Sequence, residues 1–194
     1  MKYYIPLGTW PLHIQPYRDL MARVGLQEGS LETADVLVLP GGADIGMRPE
    51  RDKAEFHLYE EWTMAKQPVL GICRGLQVML YLHDGDLVPH IPNKVNEMMH
   101  TTITGDWRGQ SAYHTTELGL LTNTRHHQGY TSAPLGWDVL DKTSDGIIEA
   151  VQHKNQFAVQ WHPEHEEMNG TAAQKWWINT VKDILYGKDI QCGK

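Results

Sequence analysis

Cys73 stands in the run Val69-Leu70-Gly71-Ile72-Cys73-Arg74-Gly75-Leu76-Gln77-Val78-Met79-Leu80. A short, apolar, β-branched stretch precedes it. Helix formers with apolar residues at helical spacing follow it. A cysteine at such a junction is either a small buried hydrophobe or a nucleophile. Two physical effects favour the nucleophile. The tight turn projects the side chain into the crevice at the strand's C-terminal end, where open α/β sheets bind ligands. The helix N-terminus stabilises a thiolate and offers unbonded N–H donors. Gly71 and Gly75 leave room for the turn, by the logic of the serine elbow of hydrolases. The junction alone leaves both readings open.

A thiol nucleophile needs a histidine base, and the base needs an orienting acceptor. "VQWHPEHEE" offers both at a predicted strand end, as His162 and Glu164 separated by Pro163. Proline fixes its own φ and restricts His162 to extended geometry. His165, Glu166 and Glu167 read as the solvated start of a helix. The His162-to-His165 spacing is not the i, i+4 pattern of a zinc helix, and Pro163 opposes helix there, so no metal is expected. The third element is "LPGGADIG", Leu39 to Gly46. Two glycines after a buried strand are most simply a turn. Their N–H groups also suit an oxyanion hole, which needs preorganised donors where negative charge develops.

The elements that must position these residues alternate in the first half. "KYYIPL" reads as a strand and "IQPYRDLMARVG" as a helix with Tyr17, Leu20, Met21 and Val24 on one face. "ADVLVLPGG" is a buried strand, and "RDKAEFHLYEEWTMAK" a helix with Leu58, Trp62 and Ala65 inward. "PVLGIC" is a third strand, followed by a helix from Arg74 to Leu82. This βαβα order predicts a parallel sheet with helices on both faces. From Asp84 to Thr124 the chain is polar and rich in turn residues. "GIIEAVQH" and "QFAVQWH" then read as two strands joined by "HKNQ". Ala173, Trp177, Val181 and Ile184 form the inner stripe of a last helix.

The 194 residues suit one domain, 1–194, with no internal repeat or linker. A net charge of −7 argues against nonspecific binding to nucleic acid or anionic membrane. No apolar run approaches the roughly 20 residues that span a bilayer. "MKYYIPLGTW" lacks the apolar core of a signal peptide. Only Cys73 and Cys192 are present, and Cys192 lies in a polar tail, so no structural disulfide is expected. A cytoplasmic protein with reduced thiols follows as the expectation.

Taken together, "PGG", "GICRGLQ" and "WHPE" resemble the class I glutamine amidotransferase superfamily. The details are most similar to its peptidase C26-like branch of γ-glutamyl-γ-aminobutyrate hydrolases. They are "GGADI", "RDKAEF", "DGDLVPHIP", "NTRHHQG" and "SDGIIEA…FAVQWHPE", and they cover most of Val36 to Glu167. The resemblance implies an α/β fold, an αβα sandwich with a mostly parallel central sheet, flavodoxin-like. It makes Cys73 the nucleophile, His162 the general base and acid, and Glu164 the residue that orients His162. The N–H of Gly42, or of a neighbour such as Gly41, would form the oxyanion hole with that of Arg74. Gln77, His126, His127 and Gln128 would lie beside the substrate. No metal or organic cofactor is implied.

This sequence departs from the family pattern at Arg125, where a smaller residue is common, and at Asp84 and Pro89. The part before "LPGG" is short, and Asn96 to Leu121 matches poorly, where substrate specificity would be set. Three functions are consistent with the residues. One is a hydrolase of a small γ-glutamyl amide acting through a thioester. Another is the glutaminase subunit that supplies ammonia to a separate synthetase. The last is a non-catalytic binding module. A homodimer is common for such domains.

Overall fold

The computed structural model describes residues 1–6, 14–91 and 112–187. Its sheet is built from strands β1 (Lys2–Tyr4), β2 (Gln27–Glu28), β3 (Val36–Leu39), β4 (Val69–Ile72), β7 (Asp138–Lys142), β8 (Ile148–His153) and β9 (Gln156–Val159). The order across the sheet is β2-β1-β3-β4-β9-β8-β7. The pairs from β2 through β9 are parallel, and β8 and β7 return antiparallel. A separate hairpin pairs β5 (Ala112–Thr115) with β6 (Leu121–Thr124).

The central strands are apolar on both faces, because each face carries helices. Side chains alternate along a strand. Val36, Val38, Leu70, Ile72, Phe157 and Val159 therefore face one layer, with helix α1 (Ile14–Arg23) and helix α4 (Ala172–Tyr186). Leu37, Leu39, Val69 and Ala158 face the other, with helix α2 (Pro49–Met64) and helix α3 (Arg74–Tyr81). The result is the expected αβα sandwich with a mostly parallel sheet. The α1 stripe of Tyr17, Leu20, Met21 and Val24 is buried as predicted. On α4 Ala173, Trp177 and Val181 are buried, while Ile184 is half-buried at the edge of the same cluster. No described helix is long and apolar enough to cross a membrane.

Helix α2 differs from its expected face. Asp52, Glu55, Tyr59 and Trp62 are buried, Leu58 is half-buried and Ala65 is exposed. The rotation has a specific cause: Asp52 and Glu55 turn inward to meet the buried guanidinium of Arg74. Strands β5, β6 and β7 carry no clear signal in the sequence. Strand β7 lies at the sheet edge with one buried residue, Asp141, so it lacks an apolar pattern. The first strand is shorter than "KYYIPL", and Leu7 lies outside the described residues. So do residues 96–111 of the poorly matching stretch, and Cys192.

Gly71 and Gly75 let α3 sit directly on the sheet. A Cβ on Gly71 would lie 2.6 Å from the Met79 sulfur and 2.9 Å from the Ala158 Cβ. One on Gly75 would collide with the carbonyl oxygen of Leu39. Backbone cannot yield there as a flexible side chain can. Gly75→Ala is therefore expected to destabilise the protein by about 1–3 kcal/mol, despite alanine's better helix propensity. An unchanged urea midpoint in that variant would contradict this packing.

Candidate active site

The elbow comes first. Cys73 has φ 53° and ψ −106°, a conformation that side-chain-bearing residues seldom adopt. Its N–H donates to the Val159 carbonyl at 2.8 Å, which ties the turn to the end of β9. The residues just after β9 therefore emerge beside the cysteine, in the crevice where strand ends meet helix starts. Arg74, the first residue of α3, has an N–H with no acceptor inside its own helix.

His162 reaches this crevice on the segment after β9. Pro163 follows it, and Asn123 of β6 holds its backbone from both sides. The His162 N–H donates to Asn123 Oδ1 at 2.8 Å, and Asn123 Nδ2 donates to the His162 carbonyl at 3.0 Å. The ring Nδ1 lies 2.6 Å from Glu164 Oε1, so the hydrogen bond to Cys73 falls to the other side of the imidazole. Burial alone would push the His162 pKa down. The Glu164 carboxylate and the Cys73 sulfur outweigh it and hold His162 well above its ordinary range. Burial would likewise raise Glu164, but His162 and then His165 hold its carboxyl below the usual range. The three expected residues thus meet in one chain of contacts: sulfur, imidazole, carboxylate.

The glycine loop closes over them. A Cβ on Gly41 would lie 2.7 Å from His162 Cε1 and 3.5 Å from the Cys73 Cβ, so only glycine permits this approach. The Gly41 N–H is already committed, since it donates to the Tyr17 hydroxyl at 3.0 Å. Of the two expected loop donors, that leaves Gly42. Tyr17, buried on α1, also hydrogen-bonds Glu164; burial and then that carboxylate push its pKa well up.

The four expected substrate-side residues fall into two groups. Gln77 is buried, and its Nε2 donates to the Gln128 carbonyl at 3.2 Å and to Gln160 Oε1 at 3.3 Å. His126 is buried as well. Its Nδ1 pairs with the Gln128 carbonyl at 2.9 Å, and its Nε2 lies 3.7 Å from Glu149, which His114 also approaches. His126 is therefore part of the interior, not of an open polar loop. His127 is at the rim, about one-third exposed, with Nε2 2.9 Å from Asp44 of the glycine loop.

The stretch after Glu164 is less solvated than expected. Glu166 is exposed and begins a single 3₁₀ turn, Glu166–Met168. Glu167 instead accepts from Asn123 at 3.2 Å and from Arg125 at 3.0 Å. The His165 ring stands edge-on to His162, with centroids 5.0 Å apart. Burial, more than the neighbouring charges, lowers its pKa. His162, Glu164 and His165 are the described residues whose ligand atoms are close enough to hold a metal ion. The short His162–Glu164 bond already occupies two of them.

Three residues of the site escape a reading of the sequence: Tyr17, Asn123 and Gln160. Gln160 is fully buried and its Nε2 stands 3.7 Å from the Cys73 sulfur, so it links Gln77 to the nucleophile position. A polar residue between the apolar "FAV" and Trp161 is the available signal for it.

Comparison with known proteins agrees with this geometry. The family model Peptidase C26 matches residues 26–164, a span that contains Cys73, His162 and Glu164. The γ-glutamyl-CDP-amidate hydrolase of Campylobacter jejuni is 26% identical, over 76% of this chain and 71% of its own length. A glutamine-hydrolysing GMP synthase subunit of Haloquadratum walsbyi is 29% identical, over 75% of this chain and 74% of its own. Among solved structures, a GMP synthase subunit from Thermoplasma acidophilum superposes with a TM-score of 0.68 at 18% identity. That match covers 95% of this chain and 93% of the other.

Proposed function

Because the chain belongs to the peptidase C26 family, of the class I glutamine amidotransferase-like amide hydrolases, we propose that it is a cysteine-dependent hydrolase of a small γ-glutamyl amide. The observation that carries the reading is His162 held between Cys73 and Glu164 at a strained elbow. The likeness to a γ-glutamyl-CDP-amidate hydrolase supports the γ-glutamyl half of the substrate.

In this mechanism the Cys73 thiolate, paired with protonated His162, attacks the side-chain amide carbonyl. The oxyanion lies between the N–H of Gly42 and that of Arg74. His162 gives its proton to the leaving amine. It then takes a proton from water, which attacks the thioester and releases glutamate and the free thiol. Gln77 and Gln128 border the glutamyl side, and His127 with Asp44 borders the amine side.

A second reading has its own support. The relative that is a subunit of a GMP synthase favours a glutaminase that passes ammonia to a separate synthetase. Glutamate release by the purified protein separates the two. The panel is glutamine, γ-glutamyl-γ-aminobutyrate, γ-glutamyl-putrescine and γ-glutamyl nucleotide amides. Turnover of a γ-glutamyl amide with little glutamine cleavage is expected. Glutamine cleavage alone, or only after a synthetase is added, would replace the first reading with the second.

A further inference from the structure

The "RDKAEF" run at the start of α2 has no part in the chemistry above, yet two of its carboxylates are buried. Each is shared between the two sides of the site. Asp52 accepts the Gly46 N–H through Oδ2 at 2.7 Å, and Arg74 Nη2 through Oδ1. Glu55 accepts Arg51 Nε through Oε1 at 2.7 Å, and Arg74 Nη1 through Oε2. Arg51 in turn donates from Nη2 to the Gly41 carbonyl at 3.0 Å and reaches the Pro40 carbonyl at 3.4 Å. Two guanidiniums and two carboxylates thus balance in charge and join the loop at 40–46 to the first residue of α3.

The bond to Gly41 has a directional consequence. The Gly41 carbonyl and the Gly42 N–H belong to one trans peptide plane, so they point in opposite directions. Holding the carbonyl on Arg51 turns the Gly42 N–H away from Arg51. With glycine on both sides, side-chain sterics do little to fix that plane. A Cβ on Gly42 would run into the Arg51 guanidinium, which shows how closely the two pack.

We propose that Arg51, Asp52, Glu55 and Arg74 form a clamp in which Arg51 is the positioning residue that aims the Gly42 N–H, while the Arg74 pairs set the elbow at a fixed distance from it. The inference rests on the hydrolytic reading only for what the aimed donor does. Buried ion pairs seldom add net stability over apolar packing, but they fix geometry, and here the geometry is that of two oxyanion donors.

Arg51→Met tests it, because Arg74 keeps both carboxylates and the elbow stays anchored. Arg51→Lys is the second variant; it keeps a charge for Glu55 but loses the planar fork. Three quantities are measured. Hydrogen exchange of the 40–46 peptide is expected to quicken at least about tenfold in Arg51→Met. kcat for glutamate release is expected to fall about 10²-fold with KM within about threefold, the scale of a misplaced catalytic group. Alkylation of Cys73 by iodoacetamide, which forms no oxyanion, is expected to stay within about twofold. Arg51→Lys should follow Arg51→Met in kcat while unfolding at nearly the wild-type temperature.

Unchanged exchange at 40–46, or kcat within twofold of wild type, would overturn the clamp. Alkylation falling together with kcat would reduce Arg51 to general support of the fold. If the wild type releases no glutamate from any substrate, the hydrolytic reading fails instead, and the exchange result still decides whether Arg51 holds the loop.

Discussion

Cys73→Ala abolishes glutamate release while the protein stays folded: the expected loss is on the order of 10⁴- to 10⁶-fold, as for other nucleophiles in catalytic triads. The sulfur is buried beside His162 and Gln160, and among the described residues Cys73 supplies the one thiol. The elbow survives because it is held by backbone, through the Cys73 N–H on Val159 and the β4–β9 ladder. A second variant separates chemistry from strain. Alanine keeps a Cβ in the φ 53° conformation, whereas glycine relaxes it. Strain of this kind is worth about 1–3 kcal/mol, against about 0.4–1 kcal/mol for glycine's extra freedom when unfolded. Cys73→Gly should therefore be more stable than Cys73→Ala by about 1 kcal/mol, and equally inactive. Thermal unfolding of the pair reads this directly. Turnover in either variant would remove Cys73 from the mechanism; equal stability would mean that the turn stores no strain.

What is legible in the sequence is local. Strands β3, β4 and β9 announce themselves because burial on both faces leaves short apolar runs, and α1 and α4 because an apolar stripe repeats at helical spacing. Cys73, His162 and Glu164 stand at strand ends in short motifs, so their junctions can be read without the fold. The contacts that bind them together span the chain. Tyr17 meets Gly41 across 24 residues, Asn123 meets His162 across 39, and Gln160 meets Cys73 across 87. Only the parallel stacking of strand ends brings such pairs to one crevice.

The inner face of α2 is hidden from the sequence for the same reason. A carboxylate on a helix is ordinarily a solvated group. Asp52 and Glu55 face inward because the guanidinium of Arg74, 22 and 19 residues later, is itself buried and takes its counter-charge from them. His126 inverts in parallel fashion, since Glu149 and the Gln128 carbonyl give a buried imidazole its partners. In each case residue type alone assigns the group to water, because its partner lies on another element.

Glu164→Gln is expected to lower kcat/KM by about 10³- to 10⁴-fold, the scale on which loss of a triad carboxylate acts. With the carboxylate gone, burial becomes the dominant influence on His162, and its pKa falls from the raised position it holds in the wild type. A neutral imidazole neither stabilises the thiolate nor has a proton for the leaving amine. The same pair leaves a signature in stability, with a definite sign. His162 is raised above its ordinary 6.5, so its contribution is complete below that value and fades as pH rises through the folded pKa. Glu164 is lowered below its ordinary 4.5, so its contribution is complete above that value and fades as pH falls through the folded pKa. The wild type should therefore exceed Glu164→Gln in melting temperature most clearly between these two ordinary values. The margin should narrow at strongly acid and at strongly alkaline pH. A margin that stayed constant from acid to alkali would show that the 2.6 Å contact is not an ion pair, and a variant that kept wild-type turnover would remove Glu164 from the catalytic chain.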